Sequence, residues 1–141
     1  MSKKVIHKDF HGALSVAFDY ILKKYGKNIL EEYLKICARK IYRDLIEKIK
    51  KEGISAIEGY WKNIFSLEDA EFTIEKEKNR ITLEILKCPA IYHIRTKGYL
   101  LSKEFCLQCH VINREIGKIT GFKSEVYSEK GKCIQIFEKI K

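Results

Sequence analysis

The stretch Glu71–Pro89, EFTIEKEKNRITLEILKCP, contains the pattern that decides the fold. Apolar and polar residues alternate on both sides of Asn79-Arg80, which predicts two antiparallel strands joined by a turn at that dipeptide. Pro89 has no backbone N–H to donate to a neighbouring strand, so we expect the second strand to end there. The central element of the predicted fold is therefore a β-hairpin.

The sequence before this hairpin has the 3.6-residue period of amphipathic helices. A first helix is expected from Asp9, which would be its N-cap, to Gly26, and a second from a capping box at Asn28 to Gly53. A short, aromatic third helix is expected over residues 54–65. The first two helices should pack together as a helical hairpin.

The chain beyond the first β-hairpin should form a connection over residues 90–101, a helix from Ser102 to Gly121, and a second hairpin over residues 124–140. The predicted fold class is α+β, with the element order ααα-ββ-α-ββ in one domain over residues 1–141. The helices should cover one face of an antiparallel four-stranded sheet, because a sheet with an apolar face must bury it against another layer.

Composition limits the classes of protein that this chain can belong to. Its 141 residues are 45% hydrophobic and 33% charged, which excludes a disordered or low-complexity chain. No apolar run approaches the length of a membrane-spanning helix, and the N-terminal residues lack the apolar core of a secretory signal, so we expect a cytoplasmic protein with no membrane partner. The net charge is +9, but the lysines alternate with glutamates on helix faces, which favours a solvated surface over a nucleic-acid interface. The expected partner is a small molecule, and a homo-oligomer is possible.

The cysteines carry the strongest chemical signal. Cys106 and Cys109 lie one turn apart at an expected helix start, where backbone amides favour the thiolate that binds metals. Cys88 ends one strand and Cys133 begins another, so a small sheet can bring both to the same helix end. The predicted metal ligands, with zinc as the preferred divalent ion, are Cys88, Cys106, Cys109, Cys133 and His110.

Other interpretations of these cysteines stay open. His93 is an alternative nitrogen ligand, and an iron–sulfur cluster is a less favoured occupant than zinc. The run Cys106–His110 also spells the attachment motif of c-type haem, which is not expected because that attachment requires export. Burial as small apolar side chains is a further alternative, and for Cys37 it is the preferred one.

His11 is the histidine best placed for catalysis. It should lie beside Gly12 in the first turn of the first helix, where the helix N-terminus keeps an imidazole neutral and available as a base. A surface histidine is the alternative interpretation.

Several motifs together resemble the L-2-amino-thiazoline-4-carboxylic acid hydrolase family over nearly the whole chain. They are Phe10-His11-Gly12-Ala13-Leu14, Tyr25-Gly26, Trp61, Cys88-Pro89, Phe105-Cys106-Leu107-Gln108-Cys109 and Gly131-Lys132-Cys133. The resemblance implies a hydrolase that opens a cyclic amidine, such as a 2-amino-thiazoline carboxylate, to a carbamoyl-cysteine product.

For that reaction, water must attack the ring carbon between sulfur and nitrogen. We expect His11, Cys106 and Cys109 to be catalytic, with His11 as general base and a metal held by the cysteines lowering the pKa of the water. Arg95 and Trp61 would bind the substrate, Arg95 through its carboxylate. Without a metal, a low-pKa Cys106 is the expected nucleophile.

The second half of the chain is also similar to the vinyl-reductase-type small-molecule-binding domain, through Glu129, Gly131 and Cys133. This resemblance implies a sensor or carrier that binds an apolar or tetrapyrrole-like ligand without catalysis. Its pocket would have His11 and the cysteines at the mouth. The expected lining residues are Phe18, Tyr60, Trp61 and Phe105, although Phe18 and Trp61 at helical spacing also fit an ordinary core.

Overall fold

The computed structural model describes residues 7–140, and within them the chain forms six helices and four strands. The helices are α1 (Asp9–Tyr25), α2 (Lys27–Ile41), α3 (Arg43–Glu52), α4 (Ile54–Leu67), α5 (Pro89–Lys97) and α6 (Leu107–Thr120). The strands are β1 (Glu71–Lys76), β2 (Arg80–Lys87), β3 (Phe122–Glu129) and β4 (Lys132–Lys139). Residues 1–6, which belong to the segment expected to lack a secretory signal, lie outside this description, as does Lys141.

The strands form one antiparallel sheet in the order β1-β2-β4-β3. The β1–β2 and β3–β4 hairpins are joined edge to edge by pairing of β2 with β4, in a register that sets Ile85 opposite Cys133. The predicted α+β class, the two hairpins and the four-stranded antiparallel sheet are confirmed.

The helices cover the apolar face of the sheet, which is the face that receives the alternating apolar side chains of β2. Ile81, Leu83 and Ile85 are buried on this face and belong to the same core cluster as Trp61 of α4 and Ile112 of α6. In the described part of the chain, no helix combines the length and apolarity needed to cross a bilayer.

The boundaries of the first two expected helices differ from expectation at three places. Asp9 does not cap α1, because Lys8 occupies the N-cap position and the Asp9 carboxylate instead binds His93 and Tyr99. The second helix begins after Gly26 rather than at Asn28, and it breaks at Tyr42, whose backbone is not helical. At this break the Tyr42 ring packs edge-on against Tyr60.

The expected connection at residues 90–101 is in large part the helix α5. Proline is well suited to the first position of a helix, where no backbone N–H is needed, so Pro89 ends a strand and begins a helix at once. Gly98 ends α5 with the left-handed backbone, φ +71°, that glycine adopts at low cost.

Ser102 does not cap the next helix. Turns occupy residues 103–106 and α6 begins at Leu107, so Cys106 takes the N-cap position and Cys109 lies in the first helical turn. The Ser102 N–H donates instead to the hydroxyl of Ser15 in α1.

Candidate functional site

A cavity of about 190 Å³ lies between the helices and the inner face of the sheet. Most of its wall is apolar. The aromatic wall residues are Tyr42, Tyr60, Trp61, Phe65, Phe105 and Phe137, and aliphatic ones include Leu45, Ile49, Ile57, Ile64, Ile85, Ile91, Ile112, Ile116 and Val126.

The periodicity of each element explains which of its residues reach this wall. α6 contributes positions 108, 109, 112, 113 and 116, which share one face of a helix. α4 contributes positions 57, 60, 61, 64 and 65 by the same rule. From the sheet, Val126, Gln135 and Leu83 lie in register, so the side chains of all three point to the helical layer.

Four of the five cysteines line the cavity, namely Cys88, Cys106, Cys109 and Cys133. The Cys88 N–H donates to the Gly131 carbonyl at 2.7 Å, which ties the end of β2 to the turn before Cys133. The start of α6 brings in the other two thiols. Cys37 lies outside the wall and packs elsewhere, half-buried.

Burial keeps these thiols protonated. It raises the pKa of Cys88, Cys106 and Cys109, most strongly for Cys109, and raises that of Cys133 to about 11. The lowered pKa expected for Cys106 is wrong, because burial raises its pKa and the Ser128 hydroxyl and the Arg95 charge offset that effect only in part.

Among the described residues, His11 and Glu68 form the one buried acid–base pair in the wall. The distance between His11 Nε2 and Glu68 Oε1 is 2.5 Å. Both side chains are buried. Glu68 follows Trp61 and Phe65 at helical spacing, as positions i, i+4 and i+7, so it lies on the same face as these apolar wall residues. This spacing is a signal in the sequence that Glu68 faces the cavity. Our sequence reasoning missed Glu68 because an acidic residue beside a turn is ordinarily solvated.

Several polar side chains complete the wall. The Asn113 amide donates to Gln135 Oε1 at 2.8 Å, which links α6 to β4. Burial raises the pKa of Tyr42 and of Tyr60, so both phenols stay neutral.

Four of the five predicted metal ligands, the cysteines, line the cavity, and zinc stays a prediction. Within residues 7–140, no group of three or more His, Cys, Asp or Glu side chains is arranged to hold a metal ion. His110 lies outside the cavity wall and its Nε2 contacts the Ser128 hydroxyl at 3.3 Å, because it points about 100° around the helix from Cys109. His93, the alternative nitrogen ligand, contacts Asp9 at 2.8 Å.

Some of the residues expected to bind substrate or line a pocket lie in the cavity wall, and others lie outside it. Trp61 lies in the cavity wall and packs on Phe137 with 5.7 Å between ring centroids. Arg95 is exposed on α5 and lies outside the wall, near Gly131. Phe18 is a core residue that packs against Phe105 and does not reach the cavity.

The sequence matches no protein-family model. A search of curated proteins gives no match either. Both family resemblances therefore stay predictions, and the function must be argued from the cavity.

Proposed function

We propose that this protein binds a small, largely apolar organic molecule in the cavity between its sheet and its helices. The observation that carries the proposal is the composition of the wall, in which aromatic and aliphatic side chains surround a few polar groups. Small-molecule sites have this composition, because apolar surface supplies affinity while a few polar groups fix the orientation of the ligand.

The size of the cavity fits such a ligand. Its volume is about 190 Å³, and an engineered apolar cavity of ~150 Å³ binds benzene. The thiols of Cys109 and Cys133 are protonated at neutral pH, so they offer a ligand soft, polarisable contacts rather than negative charge. These features favour a carrier or sensor.

Native mass spectrometry of the protein, purified without denaturation from the cells that make it, tests this proposal. We expect a retained organic mass that disappears on denaturation. A variant with a filled cavity, Val126→Phe, should carry none, whereas Val16→Phe, the same change at an exposed position of α1, should retain it. The same spectra test the predicted zinc as a retained metal mass. Identical retained organic masses in all three proteins, or no retained organic mass in the wild type, would contradict the proposal.

A hydrolase is the second candidate, and the His11–Glu68 pair is the observation that favours it. A carboxylate that orients an imidazole is a recurrent arrangement for a general base. In this function His11 would take a proton from a water that attacks the amidine carbon of a 2-amino-thiazoline-4-carboxylate. The ring would open with the net addition of one water, which gives carbamoyl-cysteine.

Incubation of the purified protein with that thiazoline, followed by mass analysis of the small molecules, tests the second candidate. The expected product is heavier than the substrate by one water. The variant His11→Gln should lower the rate by about 100-fold or more if the imidazole is the base. Absence of product with wild-type protein would exclude hydrolysis of this substrate and leave the binding function intact.

A further inference from the structure

We infer that the cavity ligand carries a positively charged nitrogen at one end of an apolar body, and that the Glu68 carboxylate is its counter-ion. This ligand class rests on the binding function proposed above. It adds a recognition element that neither resemblance implies, since both direct attention to the cysteines and to His11.

Glu68 is a carboxylate in an apolar wall. The residue is 7% exposed, and the other wall residues with ionisable side chains are His11, Lys132, the cysteines and the tyrosines. The cysteines and tyrosines are neutral because burial raises their pKa values, and Lys132 is exposed at the rim. Glu68 and His11 are therefore the wall residues that can carry charge inside the cavity, and from outside the wall the Lys8 ammonium donates to the Glu68 carbonyl at 2.8 Å.

One oxygen of Glu68 is available to a ligand. His11 Nε2 contacts Oε1, whereas Oε2 has no hydrogen bond to any residue in the range 7–140. In this range, Ser124 Oγ is the one side-chain polar atom that is both fully buried and without a hydrogen-bond partner. Because Oε2 has no partner either, it is not fully buried. Because Glu68 lines the cavity, an N–H group of a ligand can reach Oε2 there.

Electrostatics favour a cation at this position. His11 contacts only the Oε1 atom of Glu68, and a carboxylate in surroundings of low polarity is stabilised by each further charge or hydrogen-bond donor that reaches it. A protonated amine supplies both the opposite charge and the N–H donors. A carboxylate ligand would meet repulsion, and an alcohol would give a hydrogen bond without charge.

Three small probes that share a phenyl group and differ in their polar end test the inference. They are benzylamine, benzyl alcohol and benzoate, which at neutral pH are a cation, a neutral molecule and an anion. Trp61 is the sole tryptophan and lies in the cavity wall, so its emission reports binding directly. We expect benzylamine to bind at least about tenfold more tightly than benzyl alcohol, and we expect benzoate to bind most weakly of the three.

The variant Glu68→Gln removes the charge and keeps the shape. It should bind benzyl alcohol as the wild type does and lose the preference for benzylamine. Glu71→Gln, which removes a charge from an exposed position of β1, should keep that preference.

Each outcome decides one of the two claims. Equal affinities of the wild type for the amine and the alcohol, or a preference that survives in Glu68→Gln, would overturn the inference while the binding function stands. Failure of the wild type to bind any probe would overturn the inference, and native spectra without a retained ligand would then overturn the binding function. If Glu68→Gln does not fold, the comparison of the three probes on the wild type still decides.

Discussion

Ser15 fixes the segment that leads to the cysteine pair. Its side chain is 0% exposed, and its hydroxyl donates to the Leu100 carbonyl and accepts from the Ser102 N–H, each at 2.8 Å. These two bonds hold the chain between α5 and α6 against α1. A single hydroxyl thus satisfies two backbone groups that have left regular structure.

We expect Ser15→Ala to destabilise the protein by about 1–3 kcal/mol, because it leaves the buried Ser102 N–H without its partner and removes a donor from the part-buried Leu100 carbonyl. Ser66→Ala, the same change at an exposed position, is the matched control and should change the free energy of unfolding by less than about 0.5 kcal/mol. Urea unfolding followed by circular dichroism measures both changes. Similar midpoints for the two variants would show that the Ser15 hydroxyl does not hold this segment.

The Cys133 thiol makes stability depend on pH in the alkaline range. Burial raises its pKa from 9.0 to about 11 in the folded protein. Between these values the unfolded chain loses a proton that the folded protein keeps, so stability is full below pH 9 and falls as pH rises through about 11. We expect Cys133→Ala to reduce this loss by at most about 3 kcal/mol, measured by urea unfolding at several alkaline pH values. Parallel stability profiles for wild type and variant would contradict the assignment.

At the scale of elements, α6 reaches its position because Gly117 lets it approach β3. A Cβ added at Gly117 would lie 2.4 Å from the backbone oxygen of Phe122, closer than non-bonded atoms come. The helix that supplies Cys109 to the cavity is therefore seated on the sheet by a residue without a side chain.

We expect Gly117→Ala to destabilise the protein by about 1–3 kcal/mol, because backbone must move to admit the methyl group. Gly59 is the matched control, since it lies in α4 and a Cβ there would have no neighbour within 4 Å. Gly59→Ala should stabilise the protein by roughly 0.5–1 kcal/mol through its higher helix propensity. Thermal unfolding that shifts both variants in the same direction would contradict this account.

The elements that periodicity defines could be predicted, and those that depend on tertiary contacts could not. Alternation around Asn79-Arg80 is a local pattern, and the structure has the hairpin there. The break at Tyr42 lies where its ring packs against Tyr60, a contact between separate helices that no local pattern shows. Pro89 supports both a strand end and a helix start, so the sequence alone did not reveal α5.

For the molecule as a whole, sequence spacing predicted inward faces better than it predicted chemistry. Cys109 and Cys133 lie on the apolar faces of their elements, and the fold places both at the cavity. Their protonation follows from burial by several elements at once, which spacing does not show. The contact between His11 and Glu68 joins residues 57 positions apart, and no local pattern pairs them.

The measurement that tests the central claim most directly is a titration of Trp61 emission with benzyl alcohol in three proteins. Wild type should bind with a saturable change in emission, and Val126→Phe should bind at least about tenfold more weakly, because the added ring fills the cavity. Val16→Phe, on the exposed side of α1, should match the wild type within about twofold. Equal dissociation constants in all three proteins would contradict ligand binding in this cavity, and so would the absence of a saturable change in the wild type together with native spectra that show no retained ligand.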